Sequence, residues 1–121
     1  MREELKDRGR LLHIIEAIDN ITEFTSGKTF EDYKLDKMLQ FAVIKNLEII
    51  GEAAYMITDD FKLKHGSEDW AAIIGMRHML VHGYYQIRDE IIWATIETDI
   101  MPLSKKIKKV EIPAMQEGTF R

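Results

Sequence analysis

The sequence predicts an all-α protein, an up-and-down antiparallel bundle of four to five helices. Three observations carry this. Apolar residues recur at steps of three and four through each long segment, no stretch alternates with period two between turn signals, and glycines and helix-start residues separate the apolar stripes. At 121 residues the chain has enough surface to bury for one core and too little for a two-domain enzyme. Residues 1–111 are read as a single domain and 112–121, with Pro113 and Gly118, as a loosely held tail.

The first helix spans residues 5–25, with Leu5, Leu11, Leu12, Ile14, Ile15, Ile18, Ile21 and Phe24 on its stripe, and Gly27 stops it. Thr29-Phe30-Glu31-Asp32 has the form of a capping box. From there a second helix of about eight turns is expected through Leu39, Val43, Leu47, Ile50 and Ala54 to Ile57, with a short extra helix near Phe30–Tyr33 as a variant. Charged residues thicken around Asp59-Asp60 and Lys62-Leu63-Lys64, and His65-Gly66 is read as closing the segment. Ser67 as N-cap, with Glu68 and Asp69 at the positive end of the dipole, opens a third helix expected to run to Val81, where Gly83 breaks it. The last helix opens near Arg88-Asp89 and carries Ile92, Ile96, Ile100, Leu103, Ile107 and Val110 as one seam. Pro102 inside that seam should kink or divide it. Met38, Met56, Trp70, Met76, Met79 and Trp93 sit at helical spacing and read as core filling.

Composition narrows the chemistry. With no cysteine there is no disulfide, thiolate nucleophile or thiolate-bound zinc, and a reducing, cytoplasmic setting is the natural expectation. The amino terminus lacks the apolar core of a signal peptide, and no apolar run reaches the ~20 residues that span a bilayer, so no membrane role is expected. The net charge of −4 disfavours broad coating of nucleic acid. That charge is uneven: residues 62–88 hold Lys62, Lys64, Arg77 and Arg88 against Glu68 and Asp69, with three histidines besides. A small, focused phosphate site is compatible with such a distribution.

One stretch is not explained by packing. Met76-Arg77-His78-Met79-Leu80-Val81-His82-Gly83-Tyr84-Tyr85 crowds five polar or ionisable side chains into the end of an apolar helix. A helix end simply decorated with cations, which the dipole favours, is the plain alternative. Arg77 and His82 lie about 140° apart on an ideal helix, so they converge on one site only if the helix ends near Val81 and His82 turns back, a turn that Gly83 is expected to supply. Arginine grips phosphate oxygens bidentately and histidine moves protons near neutral pH, a pair suited to phosphodiester cleavage. On RNA the 2′-hydroxyl can attack the adjacent phosphorus without a metal or any other cofactor. His82 would then move the proton, Arg77 would neutralise the developing charge, and His78 would orient the phosphate or the hydroxyl. His78 and His82 are spaced i, i+4, but Met-Leu-Val between them supplies no carboxylate, so a zinc site is disfavoured.

Arg77-x4-His82-x-Tyr84 resembles the R-x(4–6)-H-x-Y signature of the HEPN superfamily, specifically its HepT-like toxins. Flanks that share the resemblance are Trp70-x2-Ile73-x-Gly75-Met76, the upstream Leu47-Glu48-Ile49-Ile50-Gly51-Glu52-Ala53, Ile92-Trp93, and Ile100-Met101-Pro102-Leu103, so it covers most of the chain. The resemblance implies a helical domain that forms a homodimer, with two motifs meeting at a cleft as a metal-independent endoribonuclease. It also implies a partner, a small MNT-type nucleotidyltransferase antitoxin, with which the toxin forms a larger hetero-oligomer in a type VII-like system. That partner silences the toxin by transferring AMP to the motif tyrosine, here Tyr84. AMP there would put negative charge and bulk beside Arg77 and His82, where RNA phosphate should sit.

Other positions keep two readings. Tyr85 is either a second AMP acceptor or a half-buried interface aromatic. Glu52 either contacts the Arg77 region or is a solvated or paired carboxylate, and Gly51, costly within a helix, suggests close helix approach. Lys105-Lys106 and Lys108-Lys109 either complement a helix C-terminus or track RNA. His13 and His65 read as isolated surface residues. The competing function, from a different class, is a non-catalytic helical module that binds a nucleotidyltransferase as its substrate or regulatory subunit.

Overall fold

The computed structural model describes residues 2–64, 67–83 and 88–107, with the side chains of 6–64, 70–80 and 88–107. The chain forms α1 (Arg2–Thr25), α2 (Phe30–Leu35), α3 (Lys37–Met56), α4 (Asp59–Lys64), α5 (Ser67–Gly83) and α6 (Asp89–Thr95). A π-helical turn at Ile96–Ile100 continues α6 into helical residues 101–107. No strand occurs among the described residues, so the fold is the all-α bundle the sequence predicts. None of the described helices is long and apolar enough to cross a membrane. Residues from 108 onward, including Val110, Lys108, Lys109 and the expected tail, lie outside the described residues, as does His65.

The core is built chiefly on α1 against α3. Leu11, Ile14, Ile18 and Ile21 bury one face of α1 against Val43, Leu47, Ile50 and Ala54 of α3. Each such Leu or Ile contributes roughly 1.5–3 kcal/mol by leaving water, several times the value of a surface ion pair. Polar contacts fix the antiparallel register. Asn20 Nδ2 donates to Asn46 Oδ1 at 3.1 Å, Arg10 donates to the Met56 carbonyl, and Thr58 donates to Asp7. Partners thus climb along α1 while descending along α3. Asn46 is buried but satisfied, since its amide also donates to the Ala42 carbonyl at 2.8 Å.

Two boundaries differ from the sequence reading. The expected eight-turn second helix is divided at Asp36, whose extended backbone closes α2 and whose carboxylate caps Leu39 N–H of α3 at 3.1 Å. Aspartate competes with helical continuation in this way because its short side chain offers the backbone another acceptor. The Thr29 capping box does start a helix, but it starts the short α2, with Thr29 and Asp32 bonding reciprocally. The charged stretch after Ile57 is itself helical, as α4. Its start is pinned by Thr58, whose hydroxyl accepts from Phe61 N–H at 3.3 Å while donating to the buried Asp7 at 2.6 Å.

Ahead of Pro102 the helix does not simply kink; it widens. The Met101 amide bonds to the Ile96 carbonyl five residues back, which absorbs the loss of the Pro102 N–H in a π-turn. Thr95 and Thr98 hydroxyls donate to the carbonyls of Ile91 and Ala94, both at 2.8 Å, and such back-bonding favours bending. Ile92, Ile96, Ile100, Leu103 and Ile107 nonetheless form the buried seam the sequence predicts. Gly27 ends the first helical unit with φ of 73°, the left-handed conformation that glycine adopts without steric cost. Trp70 and Met76 are buried and Trp93 packs against the core. Met38 and Met56 are not core residues: they are 82% and 55% exposed, because α1 and α5 occupy the other sides of α3.

Candidate functional site

The site begins where α5 crosses α3. Trp70, Ile73, Met76 and Leu80 turn one face of α5 into the core, which leaves Arg77 at the boundary facing α3. There α3 presents Gly51. A Cβ at that position would lie 2.7 Å from Arg77 Cβ and 3.3 Å from its Cα, so only glycine allows this approach. The close helix approach expected of Gly51 is therefore real, and its neighbour is the arginine.

Arg77 is held on two sides. Its Nε donates to Glu52 Oε1 at 2.7 Å, and its guanidinium carbon lies 4.4 Å from the centroid of the Tyr55 ring. The Arg77 side chain keeps 21% exposure and Glu52 56%. An ion pair this open is worth about 0–1 kcal/mol to stability, so its main effect is on orientation. The bond through Nε leaves both terminal nitrogens uncommitted to Glu52, aligned by the carboxylate below and the ring beside them. Of the two readings of Glu52, the structure shows the contact with the Arg77 region, its carboxylate accepting from Arg77 Nε.

The remaining motif residues divide. His78 is exposed on α5 directly after Arg77. α5 continues through Gly83 rather than ending near Val81, so positions 77 and 82 stay on one helix about 140° apart and the expected turn-back of His82 does not occur. The His82 side chain, Tyr84 and Tyr85 lie outside the described residues. Lys105 and Lys106 are exposed near the end of the described chain.

A groove of about 540 Å³ opens beside Arg77. Arg10 and His13 from α1 form one wall, and Lys45, Glu48 and Glu52 from α3 approach Arg77 on the other. Ile49, Ala53 and Met56 line it between them. Sequence reasoning left His13 as an isolated surface residue, and it missed Arg10 and Lys45 altogether. Only the antiparallel docking of α1 on α3 unites residues more than thirty positions apart in the chain. Among the described residues no three His, Asp or Glu side chains cluster as a metal site would require.

The family model for ribonuclease HepT-like proteins matches residues 14–110. A protein of Thermococcus cleftensis named a probable ribonuclease HepT is 44% identical over 97 residues, covering 80% of this chain and 88% of its own length. Proteins of Caldanaerobacter subterraneus and Methanocaldococcus jannaschii, each named a putative RNase, are 38% and 33% identical. They cover 85% and 83% of this chain, and 92% of each relative. No solved structure gives a significant match. With the family model spanning most of the bundle, Arg77 and its α3 partners included, the chain belongs to the HepT-like ribonuclease family of HEPN proteins.

Proposed function

We propose that this protein is a metal-independent endoribonuclease acting as the toxin of a toxin–antitoxin pair. The observation that carries the reading is Arg77, an arginine oriented by Glu52 and Tyr55 at the edge of an open groove, in a chain of ribonuclease kinship. In the proposed reaction the RNA 2′-oxygen attacks the adjacent phosphorus as its proton passes to His82. The bond to the 5′-oxygen breaks, that oxygen leaves with a proton, and the products are a 2′,3′-cyclic phosphate and a 5′-hydroxyl. Arg77 neutralises the charge that builds on the non-bridging oxygens, and His78 orients the phosphate.

One imidazole must take a proton and a protonated one must return it. A homodimer joining two motifs would supply both through its two copies of His82. Exposed Leu35, Met38 and Phe41 offer unpartnered apolar surface for self-association. Phe41 stands eleven residues, about 16 Å along α3, from Glu52, so that patch and the groove can serve at once.

A nucleotidyltransferase antitoxin would silence the enzyme by transferring AMP to Tyr84, with Tyr85 as the neighbouring phenol, and would associate with the dimer in a larger hetero-oligomer. The test is cleavage of RNA in EDTA by protein free of that partner. Cyclic phosphate ends are expected, and Arg77→Ala or His82→Ala should abolish the activity; cleavage surviving both changes would refute the assignment. Inert RNA combined with an AMP-sized mass increment on Tyr84 after co-expression would instead favour a nucleotidyltransferase-binding module.

A further inference from the structure

We infer that the groove between α1 and α3 is a subsite for one nucleotide of a single-stranded RNA, flanking the phosphate that Arg77 would hold. The inference rests on the ribonuclease reading and adds to it where the strand lies and which residues grip it.

The groove has the composition a nucleotide needs. Its volume, about 540 Å³, is that of a small-ligand site. Ile49, Ala53 and Met56 give it an apolar surface on which a base can lie. Lys45 on α3 and His13 on α1 line it together with Arg77, so groups able to bind phosphate come from more than one helix.

The charges there are not equally available. Arg77 is paired with Glu52. Arg10 is engaged by the Met56 carbonyl and by Asp7, its Nη1 lying 3.6 Å from Oδ1, and it closes the end of the groove as a fixture of the fold. Lys45 and His13 differ: both are exposed, and among the described residues neither makes a hydrogen bond or ion pair. Two unengaged groups capable of binding phosphate, facing an apolar surface beside an oriented arginine, have no evident role in stability. Packing accounts for Arg10 and leaves Lys45 and His13 unexplained. Phosphodiester oxygens would satisfy both.

Occupation by RNA also fits the charge balance. Glu48 and Glu52 share the groove with the cations, so it is not a strongly positive surface that would attract any polyanion. Binding then depends on simultaneous contact of base and phosphate, as suits a single strand with unstacked bases.

The experiment measures binding of a short fluorescein-labelled single-stranded oligoribonucleotide to full-length His82→Ala protein, by anisotropy across a salt series. Loss of one phosphate contact on a single strand should make the slope of log K against log salt shallower by about 0.7. Lys45→Ala should show this change with several-fold weaker binding, and Lys45→Arg should restore the slope. His13→Ala should weaken binding several-fold, and Ile49→Ala should weaken it without moving the slope. Lys28→Ala, on the turn after α1, serves as a surface control and should match the parent. A structural role for Lys45 would not move a salt slope. RNA binding that is indifferent to Lys45, His13 and Ile49 would overturn the subsite, even if the native enzyme cleaves RNA. Lys45-dependent binding by a protein that cuts no RNA would keep the subsite and refute the ribonuclease reading. Absence of any binding would overturn the subsite as well.

Discussion

Gly51 and Arg77 meet so closely that no other residue fits at position 51: an added Cβ would sit 2.7 Å from Arg77 Cβ. Two effects of Gly51→Ala oppose each other. Alanine gains about 1 kcal/mol in helix propensity, but the obstructing atoms are the root of the arginine, not its flexible end, so α3 and α5 must separate. Overpacking of this kind costs typically 1–3 kcal/mol. The expected outcome is a net loss of thermal stability, read by calorimetry, together with a fall in RNA cleavage as Arg77 shifts from Glu52.

Glu52→Gln separates orientation from stability. The amide oxygen can still accept from Arg77 Nε, whereas Glu52→Ala removes the acceptor. Denaturant midpoints should move little in either variant, consistent with about 0–1 kcal/mol for an exposed pair. Cleavage rates should fall in the order wild type, Gln, Ala if Arg77 acts through its held orientation. Equal rates for all three would show that the guanidinium needs no positioning.

Asp7 should matter more than its place near the amino terminus suggests. It is 3% exposed and accepts from both the amide and the hydroxyl of Thr58, so Asp7→Ala strands a donor at the start of α4. A loss of about 1–3 kcal/mol is expected, with accelerated amide exchange at Thr58 in hydrogen-exchange measurements. Thr58→Val should reproduce part of the effect.

Tyr33 gives a pH signature. Its hydroxyl is fully buried with no hydrogen-bond partner among the described residues, and burial, reinforced by the charge of Asp89, pushes its pKa upward. The folded state thus favours the neutral phenol. Stability from this group is complete below the unfolded tyrosine pKa near 10 and is lost as pH rises above it toward the folded value. Tyr33→Phe should flatten the decline in Tm above about pH 10. At neutral pH it should leave Tm unchanged or raise it, since an unpartnered hydroxyl is removed and the ring contact with Trp93 at 5.4 Å is kept.

Local signals carried most of the fold. The stripes of α1 and α3, the Gly27 stop, the Thr29–Asp32 capping box and the seam from Ile92 to Ile107 all depend on residues within a few turns of one another. What escaped depended on partners distant in sequence. α4 needs Asp7, fifty-one positions from Thr58, to anchor its start. Met38 could not be told from a core methionine until α1 and α5 had taken the other faces of α3. Arg77 was legible as a candidate from its chemistry. Its setting was half legible, since Gly51 signalled a close approach without naming the neighbour. The groove was not legible at all, because His13 becomes interesting only once α1 is laid against α3.

The π-turn at Ile96–Ile100 also sets a rule on chain length. A wide turn holds one residue more than an α-turn, and here that residue lets Ile92, Ile96 and Ile100 stack along one line before Leu103 and Ile107 take over. Taking out one residue between 97 and 99 would remove that extra residue, so the helix should close to ordinary α geometry with Leu103 and Ile107 still facing the core. The cost would fall on the backbone, where Pro102 would meet an unwidened helix and leave a carbonyl without its donor. A deletion in the regular helix on either side would instead rotate everything beyond it by about 100°, so this short segment is a place where the last helix can lose a residue and keep its buried seam.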